Sequence, residues 1–115
     1  MNKVILSGHV GQDPKKITFD NGGALLNFSL ATNFRWKDGE EWKDGTDWHS
    51  VVIAGSRVDF AENNIAKGTK LLIEGKLKHR KVEKDGKTNY YTEVFADNFE
   101  ILTWKDKEPT DDLPY

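Results

Sequence analysis

The chain has no cysteine, a single methionine and only three prolines in 115 residues. Without cysteine there is no disulfide framework and no thiolate metal site, so the fold must rest on a hydrophobic core; the composition also suits a reducing, cytoplasmic setting. No apolar run approaches the ~20 residues of a membrane-crossing helix, so no membrane role is expected. Met1 to Pro14 holds only a short apolar stretch with no small-residue cleavage site and does not read as a signal peptide. No sign of charge dominates: the formal net charge is −2. Residues 105–115 set Lys105 and Lys107 against Asp106, Glu108, Asp111 and Asp112, so that tail carries −2 and the rest of the chain is balanced. A polyanionic partner could be held only by a local basic stripe. Also missing are a nucleophile elbow, a phosphate loop and a paired carboxylate set. His9, His49 and His79 fall in separate strand patterns with no Glu-x-x-His or cysteine partner. Neither a metal, a cofactor nor an enzymatic activity is expected.

What is present alternates. Asn2 to Val10 is rich in β-formers and ends at the turn cluster Gly11-Gln12-Asp13-Pro14. Gly8 inside that run marks a bulge or a barrel corner. Ile17 to Phe19 reads as a short strand, and Asp20-Asn21-Gly22-Gly23 as a hairpin turn. Leu26, Phe28 and Leu30 then share one strand face. From Thr46 the period is again two: Trp48, Ser50, Val52 and Ala54 on one side, His49, Val51 and Ile53 on the other. Ser56 to Lys67 is the helix candidate, with Ser56 and Asp59 as a weak capping box, a stripe of Val58, Ala61 and Ile65, and Gly68 as its stop. Leu71 to Arg80 reads as a strand with Leu71, Ile73 and Leu77 inward and Leu72, Glu74, Lys76, Lys78 and Arg80 outward. Glu83 to Asn89 reads as a turn-rich loop, and Tyr91, Phe95, Phe99 and Ile101 as the inner face of a last strand. An all-β chain with five strands and one short helix between strands 3 and 4 has the order of an OB-fold, a small barrel that often binds oligonucleotides.

Between Asn33 and Ile53 lie three of the four tryptophans, Trp36, Trp42 and Trp48, among lysines, carboxylates and glycines that cannot form a core. Large flat rings left in water suit a flat partner, and nucleic-acid bases are the commonest. The near-repeat Trp36-Lys37-Asp38-Gly39 and Trp42-Lys43-Asp44-Gly45 puts a turn signal at each Lys-Asp-Gly, predicting a protruding hairpin or a disordered loop. Lys76, Lys78, Arg80, Lys81, Lys84 and Lys87 against Glu83 and Asp85 leave residues 76–87 at +4, a stripe suited to phosphates.

In chain order, Asn2-Lys3-Val4-Ile5-Leu6, Gly11-Gln12-Asp13-Pro14, Asn27-Phe28-Ser29-Leu30-Ala31-Thr32, Asp47-Trp48-His49-Ser50-Val51-Val52, Lys67-Gly68, Ile73-Glu74-Gly75-Lys76-Leu77, Arg80-Lys81, Tyr90 to Val94 and the terminal Asp111-Asp112-Leu113-Pro114-Tyr115 together resemble the bacterial-type single-stranded DNA-binding proteins. The resemblance implies an OB-fold domain over residues 1–104 and a short disordered tail over 105–115 with an acidic, partner-binding tip. It implies a nucleoid-associated homotetramer that coats single-stranded DNA without sequence preference in replication, recombination and repair, and that recruits proteins of those processes through Asp111, Asp112, Leu113, Pro114 and Tyr115. Trp36 and Trp48 match base-stacking positions, and His49, with the His9 region, matches subunit contacts. Where the family usually has two further aromatics this chain has Ala54 and Val82; Trp42 or Phe34 is the expected replacement. Lys76, Lys78, Arg80 and Lys81 are the expected phosphate contacts, with Lys3, Lys15 and Arg35 as weaker ones. Two rival readings are a dimeric replication-restart accessory protein of the same fold, which normally lacks the acidic tip, and an OB-fold adaptor that has lost DNA binding.

Overall fold

The computed structural model describes residues 1–103 of the chain; the acidic tip, residues 111–115, and the rest of the tail lie outside them. Its strands are β1 (Val4–Val10), β2 (Lys15–Thr18), β3 (Ala24–Asp38), β4 (Glu41–Ala54), β5 (Lys70–Lys84) and β6 (Lys87–Ile101), with a 3-10 turn (Gly55–Arg57) and α1 (Val58–Asn64) between β4 and β5. The sheet runs β1-β5-β6-β4-β3-β2, and β1 also pairs with β3, which closes β1, β3, β4, β6 and β5 into a five-stranded barrel. β4 and β6 form the one parallel pair among these, with Val51 opposite Val94 and Val52 opposite Phe95. β2 adds to the outside of β3, and the helix sits between the third and fourth barrel strands, as an OB-fold requires. Gly8 marks the corner: a Cβ there would lie 2.0 Å from the Ala31 carbonyl oxygen, so only glycine lets β1 cross from β5 to β3.

The core follows the strand alternation. Leu26, Phe28 and Leu30 meet Val51, Ile53, Leu71, Ile73 and Val94, and α1 closes the barrel end with Val58 and Ala61, followed by Ile65. Each fully buried Leu, Ile or Val contributes about 1.5–3 kcal/mol relative to exposure, so truncating Leu26 or Ile73 should cost ~2–5 kcal/mol. Lys16 of β2 reaches Asp59 at 2.9 Å and Glu62 at 3.7 Å; the hydrogen bond and charge of Asp59 hold its ammonium above the usual lysine range.

The helix is shorter than its sequence pattern. The expected Ser56–Lys67 segment is α-helical only over Val58–Asn64, and Ile65 is already extended. The following amides have partners elsewhere: Ala66 N–H donates to Thr69 Oγ1 (3.0 Å) and Lys67 N–H to Asp13 Oδ1 (2.8 Å). The Ser56 capping box does not form. Gly55 turns the chain out of β4 at a positive φ of 83°, Ser56 falls in the 3-10 turn, and Arg57 occupies the N-cap without a side-chain cap.

The two stretches expected to contain loops are long hairpins. β3 and β4 stay paired out to Asp38 opposite Glu41, and β5 and β6 out to Lys84 opposite Lys87. Two-residue loops close them: Gly39-Glu40 with Gly39 at φ 68°, and Asp85-Gly86 with both residues at positive φ. The predicted turn at Gly45 is absent, because Gly45 lies in β4 opposite Phe34, whose ring covers it. Leu77 keeps the inward parity, opposite the buried Val94, but is itself exposed. Tyr91 and Phe95, expected inside, face outward. Glu74 pairs with Asn98 and Gly75 with Ala96, which leaves Asp97 as an extra residue in β6. That bulge reverses the alternation, so Phe99 and Ile101 point in while Phe95, Glu93 and Tyr91 point out.

Candidate nucleic-acid interface

The outer faces of β2, β3, β4, β6 and β5 form one shallow track. It starts at a depression walled by Gly11, Gln12, Ser29 and Trp48. Through Ser29 and Gln12 it joins one that reaches Lys15 and Asn27. Through Asn27 it opens into a 300 Å³ cleft that includes Ile17, Phe19, Val52, Arg80, Glu93 and Phe95. Val52 and Phe95 are shared with a 450 Å³ cleft whose far walls include Ala54, Arg57, Lys76 and Lys78. An apolar middle at Ile17, Phe19, Val52 and Phe95, a ring at one end and cations at the other suit a flexible polyanion with flat side groups.

Trp48 is a built platform. A Cβ on Gly11 would sit 2.3 Å from the Trp48 ring, so glycine lets the β1–β2 turn lie flat against it. Gly11 N–H donates to the Ser29 carbonyl at 2.9 Å and fixes that turn. One side of the indole is thus supported, and the residue is still 62% exposed. On the β3–β4 hairpin, Phe34 lies over Gly45 and stacks on Trp36 with centroids 5.5 Å apart. Phe34 therefore buttresses Trp36. Cross-strand pairing sets Trp36 opposite Lys43, and Trp42 opposite Lys37. By alternation Trp42 shares its side of the hairpin with Trp48, and Trp36 and Phe34 occupy the other. Arg35 sits 5.3 Å from the Trp42 ring centre and pairs with Asp44 at 3.0 Å.

The cations divide by partner. Arg35 is bound to Asp44, Lys43 to Asp38 (2.8 Å), Lys81 to Glu83 (3.1 Å) and Lys3 to Glu74 (3.4 Å). Arg80 Nε donates to Glu93 (3.1 Å), a carboxylate almost wholly buried in the sheet face, which sets the guanidinium over Tyr91 at 5.0 Å. Among the described residues neither Lys76 nor Lys78 has a carboxylate within 4.0 Å; Lys78 Nζ lies 5.6 Å above the Phe95 ring. Among these residues Lys15, on the depression beside Asn27, has no carboxylate within that distance either.

Comparison with known proteins bears on this geometry directly. The family model described as "Single-strand binding protein family" matches residues 1–102. The chain belongs to the single-strand binding protein family. Within it, the chain is similar to the single-stranded DNA-binding protein of Bacteroides thetaiotaomicron, at 39% identity over 91% of this chain and 68% of that one. It is 46% identical to that of Rickettsia conorii, over 86% and 68% of the two chains. Among solved structures, the Plasmodium falciparum SSB complex with ssDNA superposes with a TM-score of 0.83 at 31% identity, covering 90% of this chain and 96% of that one. The single-stranded DNA binding protein of Thermus aquaticus gives 0.80 at 26% identity, over 90% of this chain and 51% of that one.

Seen as a single-strand binding fold, the sequence-predicted residues separate into groups. Trp48, Lys76, Lys78 and Arg80 come together on the track. Trp36, Trp42, Phe34 and Arg35 stand on the neighbouring hairpin. Lys81 has the opposite parity from Lys78 and Arg80, and Lys3 is drawn to Glu74 off the track walls. His49 is half-buried, with Nε2 2.8 Å from Thr32 Oγ1, and His9 is exposed on β1. Phe95, Phe19 and Asn27 line the track without being expected there, and Tyr91 lies outward under Arg80. No strand parity read from one segment could place Phe95, because the bulge that turns it outward is defined by its partner strand.

Proposed function

We propose that this chain binds single-stranded DNA without sequence preference, in replication, recombination and repair, as a binding protein and not an enzyme. The observation that carries the reading is the track itself: a supported, exposed Trp48 at one end and Lys76 and Lys78 without carboxylate partners at the other. Bases stack on Trp48 and Trp36, and phosphates are neutralised by Lys76, Lys78 and Arg80. Every base has a π-face and every nucleotide a phosphate, so such a surface grips without reading sequence. A strand that touches both Trp48 and Trp36 must pass over the edge of the β3–β4 hairpin, since the rings lie on opposite sides. Trp42, on the Trp48 side, adds a stack that compensates for Ala54 and Val82.

The proposal includes a homotetramer, with the β1 face bearing Ile5 and His9 and the His49 region as contacts. Several weak sites in one particle raise the grip on a long strand. It also includes recruitment of partner proteins by Asp111 to Tyr115, two carboxylates followed by Leu, Pro and a terminal ring, suited to a basic-rimmed apolar pocket.

Tryptophan fluorescence, titrated with oligo-dT, oligo-rU and a duplex, tests the DNA reading. Strong quenching by oligo-dT alone is expected, with log affinity falling with log salt by about 0.7 per phosphate neutralised. Quenching by none of the three would end the proposal, and salt-independent binding would remove the phosphate assignments. Light scattering of the eluted protein reads the tetramer. Removing residues 111–115 should leave oligo-dT affinity unchanged and abolish capture of partners.

A further inference from the structure

We infer that Phe95 is a base-stacking residue, at the middle of the track, where it holds one base while Lys76 and Lys78 take the adjoining phosphates. This rests on the reading of the track as a single-stranded DNA path. Phe95 reaches the outer face only because Asp97 is an extra residue in β6. There it lies opposite Lys76 of β5 and Val52 of β4, and with Val52 it forms the wall common to the 300 and 450 Å³ clefts. Phe95 itself is half-buried. On the larger cleft its neighbours Ala54, Gly55 and Ala96 are small, and the long side chains there are the flexible, charged Arg57, Lys76 and Lys78. The exposed part of the ring can be uncovered for a flat group by a shift of Lys78.

The charge around the ring names the occupant. Arg57, Lys76 and Lys78 line the larger cleft, with Asp97 as the carboxylate there. On the smaller cleft Glu93 is already bound to Arg80. The excess is positive on the side where the cleft is widest, so the group beside the ring is anionic. The Lys78 ammonium now over the ring is an exposed contact, weaker than a stacked base. Moving Lys78 to a phosphate would free the ring for the base of the same nucleotide.

The test is an oligo-dT titration of the full chain carrying Phe95→Leu, which keeps apolar bulk and removes the π-face, and of the chain carrying Phe95→Tyr, which keeps the π-face. Phe95→Leu should weaken binding roughly tenfold with an unchanged salt slope and an unchanged melting temperature. Phe95→Tyr should keep most of the parent's affinity. Unchanged affinity of Phe95→Leu, or an equal loss in both variants, overturns the inference and makes Phe95 a packing residue. Failure of the unsubstituted chain to bind oligo-dT is a different result, which removes the DNA reading itself.

Discussion

The β3–β4 and β5–β6 hairpins leave the same barrel at similar lengths and carry opposite chemistry. The first holds Phe34, Trp36 and Trp42, and it ties Arg35 to Asp44 and Lys43 to Asp38 within itself. The second holds Lys78, Arg80, Lys81, Lys84 and Lys87, and at its root Lys76 and Lys78 have no carboxylate partner among the described residues. One arm carries the tryptophans and no excess of cations. The other carries the cationic excess, beside the exposed rings of Tyr90 and Tyr91. Stacking is insensitive to salt and phosphate neutralisation is not, so the two arms should be separable in one titration series.

The largest effect is expected where ring and barrel meet. Trp48→Ala should cost about 1–3 kcal/mol of oligo-dT affinity without changing the salt slope; a changed slope would mean that the ring positions cations. Next is Gly11→Ala, because the added methyl would overlap the indole. Displacing that ring should cost roughly 1–2 kcal/mol of binding while the melting temperature stays near that of the parent. On the basic side, Lys76→Gln with Lys78→Gln should lower the salt slope by about 1.4, two phosphates at ~0.7 each; Trp48→Ala is the control that must not. Trp42→Ala should cost ~1 kcal/mol, and an unchanged affinity would remove its compensating role. The smallest effect is expected for Arg35→Gln: its ion pair with Asp44 is exposed on both sides and worth under ~1 kcal/mol, so binding and slope should barely move.

How legible these arms were depended on the kind of signal. Leu26, Phe28 and Leu30 alternate in a simple period of two, and all three are buried. Trp36, Trp42 and Trp48 stand among charged residues, and all three are exposed. Both are local facts of composition. The tripeptide Lys-Asp-Gly shows the opposite case. At 37–39 its glycine opens a two-residue loop, at 84–86 its Asp-Gly is the loop, and at 43–45 it lies inside a strand under Phe34. The same three residues turn or extend according to what the partner strand places across from them. α1 likewise ends early because Asp13 and Thr69, remote in the chain or beyond its end, take the next amides.

The sequence by itself determined the strand periods, the exposed tryptophans, the basic run from Lys76 to Lys87 and hence the barrel and the class of partner, because burial and charge follow from residue type and spacing. Only the tertiary structure decided which rings share a face. That choice depends on register: Asp97 bulges against Glu74 and Gly75, turning Phe95 from core to surface, and Gly11 is brought under Trp48 from another turn. A one-residue shift moves a side chain across the sheet, and no segment contains the register of its own partner.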